Sequence, residues 1–272
     1  MLDQQTAIAR ELGVATAFDV AAEIDRRITF LADYLRAARA SAYVLGISGG
    51  VDSLTAGLLA QRSVEKLRNA GHAATFIAMR LPYGTQRDES DAQKSLSVIA
   101  PDRIVTVDIK PAADAMRAQI LQEAADLFAG PRHDFHHGNI KARQRMIAQF
   151  ALAGAVGGLV IGTDHAAEAL MGFFTKFGDG AADVVPLTGL NKRRVRAIAS
   201  HLGAPRELVF KTPTADLETD APLKPDEDAL GVSYEEIDDF LEGKNVGPQA
   251  CQRILATYGR TAHKRTLPVA PA

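Results

Sequence analysis

Four short apolar runs, at residues 43–47, 75–79, 104–107 and 159–161, alternate with stretches of helical length. Successive parallel strands can join one sheet only through crossovers. The alternation therefore restricts the chain to an α/β fold, a doubly wound and mostly parallel sheet with helices on both faces. Helices are expected over residues 52–69, 88–99, 112–128 and 139–155, with another after Asn191. Ahead of the first strand, Val20, Ile24, Ile28, Leu31 and Leu35 recur at helical spacing, which predicts an amphipathic helix over residues 19–38. In such a sheet ligands lie beyond the carboxyl ends of the strands, where connections leave in opposite directions. The first and fourth strands are expected to flank that crevice.

Between the first strand and its helix stands Ser48-Gly49-Gly50-Val51-Asp52-Ser53. Glycines at a strand-to-helix turn reach backbone angles closed to other residues, and they let consecutive N–H groups converge on an anion at a helix N-terminus. Ser48 and Ser53 add hydroxyl donors. Asp52 is useful beside phosphates only when a cation joins it, so the turn reads as a site for a nucleotide with Mg2+. The loop is not a P-loop, because no Gly, four residues and Gly-Lys-Ser/Thr string occurs in the sequence, and it is not the dinucleotide fingerprint. Gly162-Thr163-Asp164-His165-Ala166-Ala167-Glu168 follows the fourth strand and is expected beside it. Asp52 and Glu168 would then face each other across the nucleotide, an oxygen-rich pair of the kind magnesium prefers.

The 272 residues, 47% of them hydrophobic, suffice for one large domain. Its expected parts are an N-terminal helical arm over about residues 1–40, a nucleotide-binding core over about 41–210, loop and helices over about 211–266, and a loose tail over 267–272. Lysine plus arginine number 31 against 33 acidic residues, so no global basic excess favours nucleic acid. Cys251 is the single cysteine, which excludes an internal disulfide, a CxxC pair and a four-cysteine zinc site; it reads as a small buried residue in a reducing compartment. No long apolar core follows a basic start, so a cytoplasmic location is expected. Residues 146–163 carry no charge over 18 positions, but Gly154, Gly157 and Gly158 interrupt them. They read as a helix end, a Gly-Gly break and a buried strand, with no membrane.

Residues 131–138 read as a solvated polar loop, and His133, His136 and His137 in it lack a carboxylate-rich partner pattern that would make them metal ligands. Residues 173–186 and 212–225, rich in Gly, Pro and Asp, exceed simple connections and are candidate substrate loops.

The Ser-Gly-Gly-x-Asp-Ser turn resembles the pyrophosphate loop of the ATP pyrophosphatases, which cleave ATP between the α and β phosphates and pass the adenylyl group to a substrate oxygen. Further strings narrow the resemblance: Arg80-Leu81-Pro82-Tyr83-Gly84-Thr85-Gln86, Gly138-Asn139-Ile140-Lys141-Ala142-Arg143, Gly172-Phe173-Phe174-Thr175-Lys176, Pro186-Leu187-Thr188-Gly189-Leu190-Asn191-Lys192, Pro213-Thr214-Ala215-Asp216-Leu217 and His263-Lys264-Arg265. With residues 162–168 they look like the NAD synthetase family over about residues 20–266. The resemblance implies a Rossmann-like, adenine nucleotide alpha hydrolase-like fold. It also implies a reaction in which ATP adenylates the carboxylate of deamido-NAD, pyrophosphate leaves, and ammonia replaces AMP to give NAD.

By position, the resemblance puts Gly46, Ile47, Ser48, Gly49, Gly50, Val51, Asp52, Ser53, Thr163, Lys192 and Thr214 on ATP, and Asp52 and Glu168 on Mg2+. Asp52, Glu168 and Lys192 are the expected catalytic groups. Arg143, Lys176, Asp183, His263 and Lys264 fall where the family holds deamido-NAD. Taken alone, Lys176 and Lys192 read equally well as surface charges. Arg143 follows the expected helix start, where the dipole disfavours a cation, so a phosphate or carboxylate partner is expected for it. Asp164 and His165 either orient the loop or contact substrate. Val51 departs from the glutamine common in the family. One form of the family carries a cysteine-dependent glutaminase; here the loop begins at residue 46 and Cys251 lies outside such a context, so ammonia is the expected nitrogen donor. The resemblance also implies a homodimer. The rival readings are another ATP pyrophosphatase, amidating a base or thiolating tRNA, and a nucleotide-sensing module without turnover; the acid pair argues against the latter.

Overall fold

The structure is a computed structural model and describes residues 2–85, 89–214 and 225–271. Strands β1 (Ala42–Gly46), β2 (Thr75–Arg80), β3 (Arg103–Thr106) and β4 (Gly158–Val160) form one parallel sheet in the order β3-β2-β1-β4. Registers run from Ala42↔Thr75 to Gly46↔Met79 on one side of β1, and from Ala42↔Gly158 to Val44↔Val160 on the other. The chain builds outward from β1 through β2 to β3 and then returns to place β4 at the opposite edge of β1. The switch point between β1 and β4 is the expected one. A single parallel bridge, Ile161↔Val184, continues beyond β4.

In chain order the helices are α1 (Leu2–Glu11), α2 (Val20–Ala37), α3 (Val51–Asn69), α4 (Glu89–Ile99), α5 (Lys110–Phe128), α6 (His133–Val156), α7 (Ala166–Met171), α8 (Lys192–His201), α9 (Arg206–Val209), α10 (Asp226–Leu230), α11 (Tyr234–Leu241) and α12 (Pro248–Arg260). Alternation along β1 splits the core in two. Tyr43 and Leu45 face a cluster with Leu31 and Leu35 of α2, Leu54 and Leu59 of α3, and Val195 and Ile198 of α8. Ala42 and Val44 face the other side, with Ile77, Met79, Val160 and Ala153 of α6. Leu31, Leu35, Leu54 and Leu59 are fully buried, each contributing roughly 1.5–3 kcal/mol of transfer free energy. Asp19 caps α2 by accepting from the Ala22 amide at 2.8 Å.

A third apolar cluster lies outside the sheet, where Ile8 of α1, Leu170 of α7, Ile237 and Phe240 of α11 and Ile254 of α12 pack together. It fixes α7 beside the carboxyl end of β4. Cys251 is half-buried against this cluster, not fully buried as its residue type led us to expect.

Two expectations are corrected. Residues 133–138 are not a solvated loop but the first turns of α6, and His137 is buried, 4% exposed, against the Tyr83 ring. Helix α5 begins at Lys110, two residues early, because Pro111 suits a first turn that needs no N–H of its own. The uncharged stretch behaves as read: α6 ends at Val156, Gly157 takes a left-handed conformation (φ 64°), and β4 follows. Among the described residues no helix is long and apolar enough to cross a membrane. Gln86, Asp88, Ala215, Asp216 and Leu217, and most of the 212–225 segment, lie outside the described residues.

Candidate active site

The glycine turn opens α3 as expected. Gly49 has φ +88°, and a Cβ there would come within 2.8 Å of the Ala92 amide nitrogen on α4, so this position needs glycine for both conformation and space. Gly50 is the N-cap, with extended backbone and no side-chain cap, which leaves the first α3 amides without a capping oxygen. The serines shape the turn from inside. Ser53 Oγ donates to the Gly50 carbonyl at 3.1 Å, and Ser48 Oγ lies 3.1 Å from Ser53 Oγ and accepts from the Gly50 amide at 3.3 Å. Upstream, the Gly46 amide donates to Gln149 Oε1 of α6 at 2.7 Å, and the Ile47 carbonyl accepts from Arg80 Nη1.

Asp52, on the first turn of α3, meets the residues after β4. His165 Nε2 lies 3.4 Å from Asp52 Oδ1 and 3.6 Å from Glu168 Oε2, and one ligand atom from each of the three lies within 4.8 Å of the others. Asp52 Oδ1 and His165 Nδ1 are buried without a hydrogen-bond partner. Lys192 completes the cluster. Its Nζ is 2.7 Å from Asp52 Oδ2, 3.4 Å from His165 Nε2 and 4.7 Å from the centre of the Tyr234 ring. At 1% exposure Lys192 is no surface lysine.

Capping places this lysine. Asn191 caps α8 by accepting from the Arg194 amide at 2.9 Å, and Asp238 accepts from the Lys192 and Arg193 amides at 3.0 and 2.7 Å. Asp238 and Tyr234, both on α11, are site residues that the sequence reading missed. Tyr234 also donates to Asp226 Oδ2 at 3.1 Å. Their only sequence signal is amphipathic spacing, which cannot show that α11 lies under α8.

The electrostatics split the two acids. Burial pushes the Asp52 carboxyl up, but Lys192 and His165 outweigh it and hold it well below the usual carboxylate range. Burial pushes Glu168 up as well, and there His165 and Lys192 do not reverse it: the carboxyl rises to about 8, with the neighbouring Asp52 charge adding to the rise. Burial lowers Lys192, yet Asp52 and Glu168 more than compensate and keep it protonated. Asp164 is raised to about 7, first by burial and then by Asp179. Thus one acid is firmly ionised and its neighbour holds a proton near neutrality unless further positive charge arrives.

Four of the five residues expected on deamido-NAD come together at a second locus. Arg143 Nη2 donates to the Lys176 carbonyl at 3.2 Å, Lys176 Nζ donates to the His263 carbonyl at 2.5 Å, and Lys264 Nζ donates to the Gly172 carbonyl at 2.5 Å. Gly172 makes the junction possible, because Thr261 Cβ lies only 2.4 Å from where its Cβ would stand. The dipole argument for Arg143 falls: α6 starts at His133, so Arg143 sits mid-helix and not near an N-terminus. Asp183 stands apart, exposed, with its Oδ2 accepting from the Val160 amide at 2.7 Å, a contact that ties the segment to β4. Thr163 is half-buried between β4 and α7. Thr214 forms a backbone bridge with Pro225, next to Asp226.

The chain matches the NAD synthase family over residues 23–268. It is 66% identical over 269 residues to the NH(3)-dependent NAD(+) synthetase of Streptomyces coelicolor, covering 98% of this chain and 97% of that one. Among solved structures it is similar to the NAD+ synthetase of Burkholderia pseudomallei, at 56% identity and a TM-score of 0.85 over 98% of this chain and 97% of that one. It is also similar to the NMN synthetase of Francisella tularensis, at 35% identity and a TM-score of 0.80 over 94% and 99%. The likeness to the NAD+ synthetase bears out the adenine nucleotide alpha hydrolase-like fold expected for the sheet.

Proposed function

The chain belongs to the NAD synthase family, and from that premise we infer that it amidates deamido-NAD to NAD with ATP and ammonia, releasing AMP and pyrophosphate. It is a ligase of NAD biosynthesis. Beyond family membership, the observation that carries this reading is the meeting of the glycine turn, Asp52, Glu168 and Lys192 at the β1/β4 switch point.

The reaction needs no side-chain nucleophile. A carboxylate oxygen of deamido-NAD forms a bond to the α phosphorus of ATP while the bridging oxygen leaves with pyrophosphate. Ammonia then attacks the acyl carbon, AMP departs, and a proton is lost from nitrogen. Such a displacement is promoted by fixed donors and cations placed where charge gathers. The amides at the start of α3, with Ser48 and Ser53, take the phosphates; Lys192 stands over the leaving oxygens; Thr163 and Thr214 contact the nucleotide.

Asp52 and Glu168 would hold Mg2+, and the buried Asp52 Oδ1 without a hydrogen-bond partner fits a group that has an ion to coordinate. Bound there, the ion would neutralise phosphate charge, and Glu168 would hold it as the carboxylate, giving up the proton its carboxyl otherwise keeps.

Arg143, Lys176, Asp183, His263 and Lys264 receive deamido-NAD. The Arg143, Lys176 and Lys264 charges suit its pyrophosphate and carboxylate. The protein acts as a homodimer in the cytoplasm. Phe30 and Tyr34 on α2 and Ile147 on α6 are exposed apolar residues that a second copy would cover.

One observation favours a second reading. The NMN synthetase of Francisella tularensis shares 35% identity over nearly the whole chain, so a mononucleotide acid is the alternative substrate. The test supplies ATP, magnesium, ammonium and either deamido-NAD or the corresponding mononucleotide. Equal yields of NAD, AMP and pyrophosphate support the proposal. ADP and phosphate, or a preference for the mononucleotide, would count against it, and glutamine in place of ammonium tests the nitrogen donor.

A further inference from the structure

The first turn of α4 makes contacts that nucleotide chemistry alone does not require. Ala92 backs directly onto Gly49 of the phosphate turn, at van der Waals distance with no room for a side chain between them. Three residues earlier in the chain, a carboxylate of α4 is tied to the sheet: Glu89 Oε2 lies 2.5 Å from Arg80 Nη2, and the same guanidinium, 2% exposed, donates through Nη1 to the Ile47 carbonyl. Between them, Asp91 Oδ2 lies 2.7 Å from Lys211 Nζ, and both side chains are about three-quarters buried, at 28% and 25% exposure. Lys211 is three residues ahead of Thr214, beyond the end of α9. One helical turn therefore touches the turn that receives phosphates, the strand end behind it, and the base of the segment carrying Thr214.

We propose that this turn of α4 is a positioning element for ATP, with Asp91–Lys211 and Arg80–Glu89 as its positioning pairs; the inference rests on the ATP-dependent reading above. The physical reason is that Gly49 has no side chain to hold it. Its left-handed backbone is defined by what packs on it, so the direction of the following amides follows the placement of α4. Arg80 fixes the turn at Ile47 and α4 at Glu89 through one rigid planar group, which a lysine cannot reproduce. Lys211 fixes the second ATP-facing segment to the same turn, so the two sides of the nucleotide site keep one spacing.

The experiment compares Asp91→Asn, Lys211→Met, the double variant and the swapped pair Asp91→Lys with Lys211→Asp. Each single variant should raise KM for ATP by about three- to fivefold, the size expected of a partly exposed ion pair. The effect should appear equally in the Kd of a non-hydrolysable ATP analogue, with kcat and KM for deamido-NAD within about twofold of wild type. The double variant should be no worse than either single one, and the swap should recover most of the loss, since the residues act as a pair. Arg80→Lys should raise KM for ATP by about tenfold or more, because a lysine cannot hold the Ile47 carbonyl and Glu89 from one planar group. Unchanged KM for ATP in the single variants, additive losses in the double, or equal losses on both substrates would overturn the proposal. If wild type makes no NAD from ATP, the functional reading fails first; if wild type turns over and the variants match it, only this inference fails.

Discussion

Lys192 Nζ lies 2.7 Å from Asp52 Oδ2, although the two residues are 140 positions apart, and the contact joins the first turn of α3 to the first turn of α8. Both charges are largely out of water, at 1% and 19% side-chain exposure. A buried pair of this kind is poor evidence for stability, since desolvation offsets most of the attraction. The contact makes better sense as a poised cation. On the proposed reading Lys192 neutralises Asp52 until phosphates and a metal arrive, and Asp52 and Glu168 keep it protonated.

Replacing the lysine should therefore harm both activity and fold. Lys192→Met leaves Asp52 and Glu168 facing each other with only His165 between them. The expected loss is about 3–5 kcal/mol of stability for a broken buried pair, together with a fall in kcat of about 10²–10³-fold from the missing cation. Denaturant melts with and without magnesium separate the two effects, because added metal should restore part of the stability and little of the rate. Wild-type kcat in a folded Lys192→Met protein would remove the lysine from the chemistry.

The acid substitutions should behave differently from the lysine. Asp52→Asn removes the partner of buried Lys192, whereas Glu168→Gln replaces a carboxyl that already holds a proton near neutrality; both weaken the ion site. Turnover should drop about 10²–10³-fold, while the metal-free melting temperature of Glu168→Gln should stay level or rise. Saturation of the residual rate should need more magnesium. Turnover and magnesium dependence matching wild type would take that acid out of the ion site.

The raised Glu168 carboxyl sets a pH signature. Its ordinary value is 4.5 and burial, then Asp52, raises it in the fold to about 8. Between those values the folded protein holds a proton that the unfolded chain has lost, so stability of the metal-free protein should fall as pH rises from about 4.5 to about 8 and level off above that. Asp52 is shifted the opposite way and adds nothing in this window, because both its states are ionised there. Magnesium binds the ionised form and should release close to one proton per site near pH 7. Melting temperatures measured from pH 5 to 9, with and without magnesium, should diverge with increasing pH; parallel curves would contradict the assignment, and Glu168→Gln should abolish the divergence.

The sheet and the glycine turn were legible because their signals are local. Apolar runs at strand spacing found all four strands within a residue at either end, and the Ser48 to Ser53 string carries its chemistry in adjacent positions. Asp52 and Glu168 followed from topology, since the strand order alone puts the ends of β1 and β4 side by side. What was missed depends on contacts with no periodic trace. The start of α6 was hidden because His133, Phe135 and His137 have no clean apolar spacing, and His137 is buried by Tyr83 from another loop. Asp238 looked like any exposed acid on an amphipathic helix, and only the docking of α11 beneath α8 turns it into a cap for Lys192.

Gly49 offers a test of how tightly the turn is built. Gly49→Ala forces an L-residue to φ +88° and places its Cβ 2.8 Å from the Ala92 nitrogen, an atom that cannot move without shifting α4. The strain should cost about 1–3 kcal/mol and raise KM for ATP more than KM for deamido-NAD. Gly50→Ala is the control, since its nearest neighbour is Ser48 Oγ at 3.5 Å and its φ of −85° is ordinary. Thermal melts and KM for ATP that rank the two variants equally would show that the close approach of α4 has no bearing on the turn.

Arg143, Lys176, His263 and Lys264 come from α6, from the segment after α7 and from the C-terminal turn at 262–264, and their mutual bonds run mostly to backbone carbonyls. Those carbonyls hold Arg143 and Lys176 in place without neutralising them, whereas Asp164 and Asp179 lie near Lys264, so an anionic ligand meets positive charge chiefly at Arg143 and Lys176. Arg143→Met and Lys176→Met should each raise KM for deamido-NAD by about tenfold, as expected for a lost charge-assisted bond of about 1.5 kcal/mol, and should leave KM for ATP unchanged. The rise should shrink with increasing salt for wild type relative to the variants, because part of the attraction is screened. Asp183→Ala is predicted to act differently: Asp183 Oδ2 accepts from the Val160 amide, so removing this acceptor should loosen the segment after β4 and lower thermal stability as well as affinity. Parallel effects on the two substrates in Arg143→Met, or none on deamido-NAD, would separate this locus from dinucleotide binding while leaving the ATP site intact.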